Sequence, residues 1–123
     1  MVEGSQIDWA GHDNDANYLI TELLDFDQTV GFVLDYAEKE GNTLVIVTAD
    51  HETGGFTLSG KVTGQNSKRE DEHDYNVIVP TFSTTGHSAA LIPVLAFGPQ
   101  SSLFSGFYHN TDIYLKIRKA LGK

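Results

Sequence analysis

The longest regular pattern of apolar side chains follows a turn-rich segment near the start of the chain. Apolar residues recur at three- and four-residue spacing from Tyr18 to Ala37, which predicts an amphipathic helix of about 22–26 residues. Gly41 stands where a left-handed glycine would end this helix. Before the helix, Met1–Ile7 is interpreted as the end of a strand that runs into a loop. The run Gly11–Asp15 offers several N-cap candidates.

Two apolar runs that lack helical spacing predict buried strands. The run Thr43–Ala49 is almost continuously apolar and β-branched, which is typical of a strand buried on both faces in a parallel sheet. The run Leu91–Phe97 is interrupted by Pro93, which indicates a less regular strand or an edge strand.

The remaining segments predict a polar connection and a closing helix. Lys61–Asp74 is polar and charged, which indicates an exposed loop or insertion, and the weak alternation in Tyr75–Phe82 indicates one arm of a hairpin. From Asn110 the apolar spacing is again helical. Arg118 and Lys119 lie near the end of this helix, where the helix dipole favours positive charge.

Composition narrows the function classes. The 123 residues and 40% hydrophobic fraction fit one folded domain, and no apolar run approaches the roughly 20 residues of a membrane span. The net charge is −9, and the first 38 residues hold nine acidic side chains and no Lys or Arg. This charge argues against a nucleic-acid partner.

The absence of cysteine restricts any metal site to carboxylate and imidazole ligands. Three segments offer such ligands. Asp8 and His12 are four residues apart, Asp50 and His51 follow the first strand run, and His87 lies in a glycine-flanked loop before the second. Ligands bind at the carboxyl ends of strands in open α/β sheets. Spacing alone supports a metal site and ordinary turn residues about equally.

Longer stretches of sequence decide between these two interpretations. Residues 1–12 (Met-Val-Glu-Gly-Ser-Gln-Ile-Asp-Trp-Ala-Gly-His) and residues 42–51 (Asn-Thr-Leu-Val-Ile-Val-Thr-Ala-Asp-His) resemble the C-terminal part of the alkaline phosphatases. Thr85–His87, Ala96–Pro99 and Asn110–Tyr114 are similar to later segments of that family. The resemblance covers the chain almost end to end, and only the region from about residue 61 to 82 has no counterpart.

The resemblance implies a set of metal ligands and a mechanism. In the family, two zinc ions hold a phosphate group while a serine attacks phosphorus, and water then hydrolyses the phosphoserine. Position by position, the implied ligands are Asp8, His12 and His87 for one zinc, Asp50 and His51 for the second zinc, and Glu3 for magnesium.

The resemblance leaves the catalytic residues out of this chain. The family's nucleophilic serine and phosphate-binding arginine lie in an N-terminal half that nothing here matches, and neither Arg69 nor Arg118 takes the arginine's place. Residues 1–123 are therefore interpreted as a C-terminal segment of the catalytic domain, with an exposed insertion at about 61–82. The expected fold is α/β, part of a three-layer α/β/α sandwich with a mostly parallel sheet.

The predicted function is metal-dependent hydrolysis of phosphate monoesters as part of an alkaline phosphatase, with the isolated chain inactive. Two alternatives stay open: a divalent-metal-binding module without turnover, or another two-metal hydrolase of the superfamily, a phosphodiesterase or sulfatase. Glu3 argues against the second alternative, because a magnesium-type glutamate is characteristic of the phosphomonoesterases. The resemblance also implies a periplasmic or extracellular location and a phosphate monoester as the substrate. A homodimer is left open.

Overall fold

The computed structural model describes residues 1–65 and 71–123. They form two compact units. The first unit comprises Met1–Glu22 and Glu52–Ala90, and the second unit comprises Leu23–His51 and Leu91–Lys123.

The elements of secondary structure are named here in chain order. They are α1 (Ser5–Asp13), α2 (Ala16–Glu40), β1 (Val45–Val47), β2 (Glu52–Thr53), β3 (Thr57–Gln65), β4 (Asp71–Thr81), β5 (His87–Ser88), β6 (Leu95–Phe97), a 3-10 turn (Ser101–Phe104) and α3 (Asp112–Ala120).

Helix α2 confirms the long helix that the apolar spacing predicts, with 25 residues. Its first turn is capped by Asp15, whose Oδ1 accepts a hydrogen bond from the Tyr18 N–H at 3.0 Å. At its other end Gly41 adopts φ 77°, and its N–H donates to the Ala37 carbonyl at 2.9 Å. Glycine takes this left-handed conformation without the steric cost that a Cβ would impose.

Helix α1 overturns the strand end and loop predicted for the start of the chain. Its apolar positions are too few to show a helical period, and a helix this short depends on packing for its stability. That packing is present: Ala10 and Gly11 are buried, and a Cβ on Gly11 would lie 3.0 Å from Thr53. As a consequence Asp8 and His12 share one face of a helix.

The described strands pair only in antiparallel ladders: β1 with β6, β2 with β5, and β3 with β4. The predicted parallel sheet is therefore not seen in residues 1–65 and 71–123. Val45 is buried in β1 and lies opposite Phe97 of β6. A run of β-branched residues indicates burial, but it carries no information on the direction of the neighbouring strand.

The second apolar run is less buried than its sequence predicts. Only Leu95–Phe97 forms a strand, and the Leu91 and Leu95 side chains are 79% and 63% exposed. Pro93 precedes this short strand, as expected for a residue that cannot donate to a ladder.

Strands β3 and β4 form a hairpin from Thr57 opposite Thr81 to Gln65 opposite Asp71. The predicted hairpin arm is thus confirmed, whereas every described residue of Lys61–Asp74 lies in a strand and the loop prediction is wrong there. Polar side chains are compatible with strands that face water. Arg69 and the centre of the predicted loop lie outside the described residues, and the insertion at 61–82 stays a prediction.

Helix α3 confirms the predicted closing helix, with Arg118 and Lys119 in its last turn. Thr111 is the N-cap residue of α3, and its side chain makes no capping hydrogen bond. In the described part of the chain, no helix has both the length and the apolar character that a membrane span needs.

Candidate metal centre

The first unit brings three predicted ligands together, and two of them come from one helix. Asp8 and His12 lie one turn apart on α1, and His12 Nε2 is 3.6 Å from Asp8 Oδ1. The Asp8 and His12 side chains are 38% and 40% exposed, so both are open to solvent ions.

The third ligand comes from β5, which is placed by its pairing with β2, where His87 lies opposite Thr53. His87 Nε2 lies 3.3 Å from His12 Nε2 and 3.9 Å from Asp8 Oδ1. Ligand atoms about 2.0–2.1 Å from a tetrahedral zinc ion stand about 3.3–3.4 Å from one another. Two nitrogens and one carboxylate oxygen therefore form a triangle close to the size that zinc requires.

Two further contacts fix the orientation of these ligands. The Thr53 hydroxyl donates to Asp8 Oδ1 at 2.5 Å. His12 Nδ1 lies 2.6 Å from the Thr85 carbonyl oxygen; because a carbonyl oxygen can only accept, Nδ1 carries the proton in the neutral ring. The lone pair is then on Nε2, the atom that faces His87, and this is the arrangement typical of metal-bound histidines.

Glu52 lies beside this cluster and is held by three donors. Its carboxylate accepts hydrogen bonds from the Gly55 N–H at 3.1 Å, the Phe56 N–H at 3.0 Å and the Ser88 hydroxyl. Burial raises the pKa of Glu52, but the hydrogen bonds and nearby His87 outweigh burial, so the net pKa is below its ordinary value.

The second unit holds the other predicted zinc ligands, which follow β1. His51 Nε2 lies 3.2 Å from Asp50 Oδ2, and the His51 N–H donates to Asp50 Oδ1 at 3.2 Å. The Asp50 side chain is 87% exposed. The pair is thus located at the end of the strand, as the sequence predicts.

Glu3, the implied magnesium ligand, lies in the exposed residues before α1. Among the described residues it makes no hydrogen bond or ion pair, so the structure does not join it to a second oxygen ligand. From the sequence, the position of Glu52 and Thr53 directly after Asp50 and His51 suggests either a supporting contact with a metal ligand or an ordinary loop role, and Thr53 does contact Asp8. The contact of the Thr85 carbonyl with His12 was missed. A hydroxyl and a backbone carbonyl carry no ligand signature in a sequence.

The sequence model of the family described as alkaline phosphatase matches residues 1–83. This chain belongs to the alkaline phosphatase family.

Individual alkaline phosphatases align with nearly the whole chain. Alkaline phosphatase from Escherichia coli is 32% identical over 99% of this chain and 27% of its own length. Alkaline phosphatase 3 from Bacillus subtilis is 30% identical over 98% of this chain and 39% of its own length. The chain thus spans well under half the length of these relatives.

A solved structure shows the same fold at higher identity. Alkaline phosphatase from the Antarctic bacterium TAB5 is 57% identical, with a TM-score of 0.87 over 98% of this chain and 34% of that chain. A variant of the TAB5 enzyme is described with Mg bound in its M3 site. The likeness supports an α/β fold for this alkaline phosphatase segment.

Proposed function

We propose that this chain serves metal-dependent hydrolysis of phosphate monoesters as a C-terminal segment of an alkaline phosphatase catalytic domain. The observation that carries the proposal is the triangle of Asp8 Oδ1, His12 Nε2 and His87 Nε2, with edges of 3.3–3.9 Å. Its donor set fits zinc, since imidazole nitrogen and carboxylate oxygen are zinc ligands when cysteine is absent. When bound, zinc would supply positive charge that polarises a phosphoryl oxygen.

The chain's own residues would then bind and orient. Asp8, His12 and His87 hold the metal, while the Thr53 hydroxyl and the Thr85 carbonyl fix the carboxylate and the imidazole. Ligands held in this way lose little conformational freedom when they bind. The proposal also assigns the family's substrate class, phosphate monoesters, to the protein that contains this chain.

Asp50 and His51 are proposed as ligands of a second zinc ion. Their closest atoms are 3.2 Å apart, near the separation of two ligands on one zinc ion. The resemblance of the Thr-Ala-Asp-His run supports this assignment. Two protein ligands leave two positions of a tetrahedral ion to be filled by other groups.

Glu3 by itself does not fit a magnesium ion. Magnesium requires near-octahedral oxygen coordination, and Glu3 is exposed and makes no hydrogen bond or ion pair among the described residues. We therefore assign Glu3 no metal within this chain, and it remains a candidate ligand for magnesium only in a more complete catalytic domain.

We further propose that the chain alone does not turn over phosphate monoesters. Phosphoryl transfer depends on a nucleophile, metal ions and cationic groups that act together on one phosphate. No serine here matches the family's nucleophile, and Arg118 lies on α3. This chain alone would bind metal without rapid catalysis.

A larger fold is part of the same proposal. The TM-score of 0.87 supports the assignment of this chain to a three-layer α/β/α sandwich with a mostly parallel sheet. Large apolar side chains such as Phe32 and Leu91 are 77% and 79% exposed, which supports packing against further elements or a second copy. The periplasmic or extracellular location, like the homodimer, stays a prediction.

Zinc titration by calorimetry tests the metal centre. We expect the metal-free chain to bind zinc tightly, and the His12→Ala variant to lose that binding. His109→Ala is the matched control, because His109 is also exposed but lies outside the cluster. Equal affinity of the wild type and His12→Ala would contradict the assignment.

Hydrolysis of p-nitrophenyl phosphate tests the proposed lack of turnover. The assay uses alkaline pH, added zinc and magnesium, and protein freed of host phosphatase. We expect turnover far below ordinary enzyme rates. A rate of about 10 per second or more would show that the chain is catalytically sufficient.

A further inference from the structure

The carboxylate of Glu52 ties together two segments of the first unit. It accepts hydrogen bonds from the Gly55 and Phe56 N–H groups, in the turn after β2, and from the Ser88 hydroxyl on β5. We propose that Glu52 is a positioning residue for the zinc centre, and this inference rests on the zinc function proposed for Asp8, His12 and His87.

The turn that Glu52 closes is tightly enclosed. Gly54 and Gly55 adopt φ 89° and 58°, a conformation that favours glycine. A Cβ on Gly54 would lie 2.8 Å from the Gly11 carbonyl oxygen of α1 and 2.8 Å from a ring carbon of Phe82. The Gly54 N–H also donates to the Gly86 carbonyl at 2.9 Å. The position of this turn therefore fixes its spacing from both α1 and the segment that leads into β5.

Glu52 and Ser88, which a hydrogen bond joins, are each adjacent in the chain to a residue of the metal centre. Glu52 lies opposite Ser88 in the β2–β5 ladder, and the next pair is Thr53 opposite His87. Thr53 donates to Asp8, and His87 completes the ligand triangle. A shift of β2 against β5 would thus move the hydrogen-bond donor of one ligand and the ring of another.

A carboxylate suits this place because three donors converge on it. Both of its oxygens accept hydrogen bonds, whereas a glutamine of the same shape has one acceptor oxygen and one donor NH2 group. The Glu52→Gln variant must turn an NH2 group toward at least one N–H or O–H donor. We expect this change to weaken the hydrogen bonds that join the turn after β2 to Ser88 of β5, with almost no change in side-chain volume.

The experiment measures zinc affinity by calorimetry and coordination geometry by the visible absorption of bound Co²⁺. Glu52→Gln should lower zinc affinity about 10- to 100-fold, the effect typical of residues that orient metal ligands, and should change the Co²⁺ spectrum. Ser88→Ala should act in the same direction, and Ser88→Thr, which keeps the hydroxyl, should retain affinity. The matched control is Glu40→Gln, because Glu40 also accepts hydrogen bonds from a hydroxyl and an N–H but lies in the second unit.

The possible outcomes distinguish a failure of the positioning role from a failure of the proposed zinc function. A wild-type chain that binds no zinc would overturn both. Tight zinc binding by the wild type, with unchanged affinity and Co²⁺ spectrum in Glu52→Gln, would overturn the positioning role alone. Should circular dichroism show Glu52→Gln to be unfolded, the Ser88 pair decides: equal affinity of Ser88→Ala and Ser88→Thr would overturn the role.

Discussion

The two groups of predicted zinc ligands differ in how they come together. In the second unit, Asp50 and His51 are neighbours in the chain, and the Asp50 carboxylate is 87% exposed. In the first unit, His12 and His87 are separated by 75 residues, and their ring nitrogens meet only because α1 and the β2–β5 ladder hold them. Asp50 and His51 stay near each other even in the unfolded chain because they are neighbours in sequence, whereas the triangle of Asp8, His12 and His87 forms only in the folded chain.

This difference has a thermodynamic consequence. A ligand that binds the folded state alone stabilises it, and one that also binds the unfolded state stabilises it less. Zinc bound by Asp8, His12 and His87 should therefore raise the unfolding temperature, while zinc bound by Asp50 and His51 should raise it less. The predictions below test this contrast.

The largest effect should come from removal of a ligand. Structural zinc sites with four ligands bind with about 10–16 kcal/mol, so one ligand contributes about 3 kcal/mol, or about 100-fold in affinity. We expect His87→Ala to lose this much affinity at the tight site and to abolish the rise in unfolding temperature with zinc. Asp50→Ala should preserve both, as measured by calorimetry and thermal unfolding. If the variant in the second unit caused the larger loss of zinc affinity and of thermal stabilisation, the proposed contrast between the two units would be wrong.

The next effect compares one glycine from each unit. Gly54 and Gly41 both have positive φ, but a Cβ on Gly54 meets atoms at 2.8 Å whereas one on Gly41 meets nothing within 4 Å. Both alanine variants carry the backbone cost of about 1–2 kcal/mol, and Gly54→Ala adds about 1–3 kcal/mol from crowding. Urea unfolding of both variants measures this excess, and equal losses would show that the turn is not tightly packed.

A smaller effect is expected from the hydroxyl that orients Asp8. Thr53→Val keeps the side-chain shape but removes the donor to Asp8 Oδ1. We expect zinc affinity to fall about tenfold, with little change in the metal-free stability. Thr48→Val serves as the control, because Thr48 is an exposed threonine that follows β1 in the second unit. An unaltered zinc affinity in Thr53→Val would mean that Asp8 is oriented without this bond.

The smallest effect concerns the pH dependence of stability in the metal-free chain. The folded-state pKa of Glu52 lies below its ordinary value, because the donors around it and nearby His87 outweigh burial, which raises it. Its stabilisation is thus present above the ordinary glutamate pKa and lost as pH falls through the lower folded-state value. The difference in unfolding temperature between wild type and Glu52→Gln should shrink from pH 7 to pH 3.5.

Glu40 provides the comparison for this pH effect. Its pKa is also lowered, first by the Thr43 hydroxyl and then by the Asn42 N–H. It is exposed to solvent, which weakens such interactions. We expect Glu40→Gln to change the unfolding temperature less than Glu52→Gln at pH 7, and a larger change would show that burial does not decide the outcome.

The sequence by itself determined the elements whose signals are local. The apolar spacing from Tyr18 to Ala37 and the glycine at Gly41 sufficed for α2, because a helix of 25 residues repeats its pattern many times. The closing helix has only 9 residues, but it was predictable because its apolar residues recur at helical spacing and its basic residues lie near its C-terminal end. The motifs around Asp8 and Asp50 were specific enough to indicate the family.

Tertiary structure decided what local signals could not specify. Helix α1 depends on the packing of Ala10 and Gly11, and the direction of β1 depends on its partner β6. The contacts of Thr53 and Glu52 in the metal centre join residues up to 45 positions apart. Such contacts form only when the folded backbone brings distant donors within about 3 Å of their acceptors. The spacing of residues along the chain therefore does not predict these hydrogen bonds.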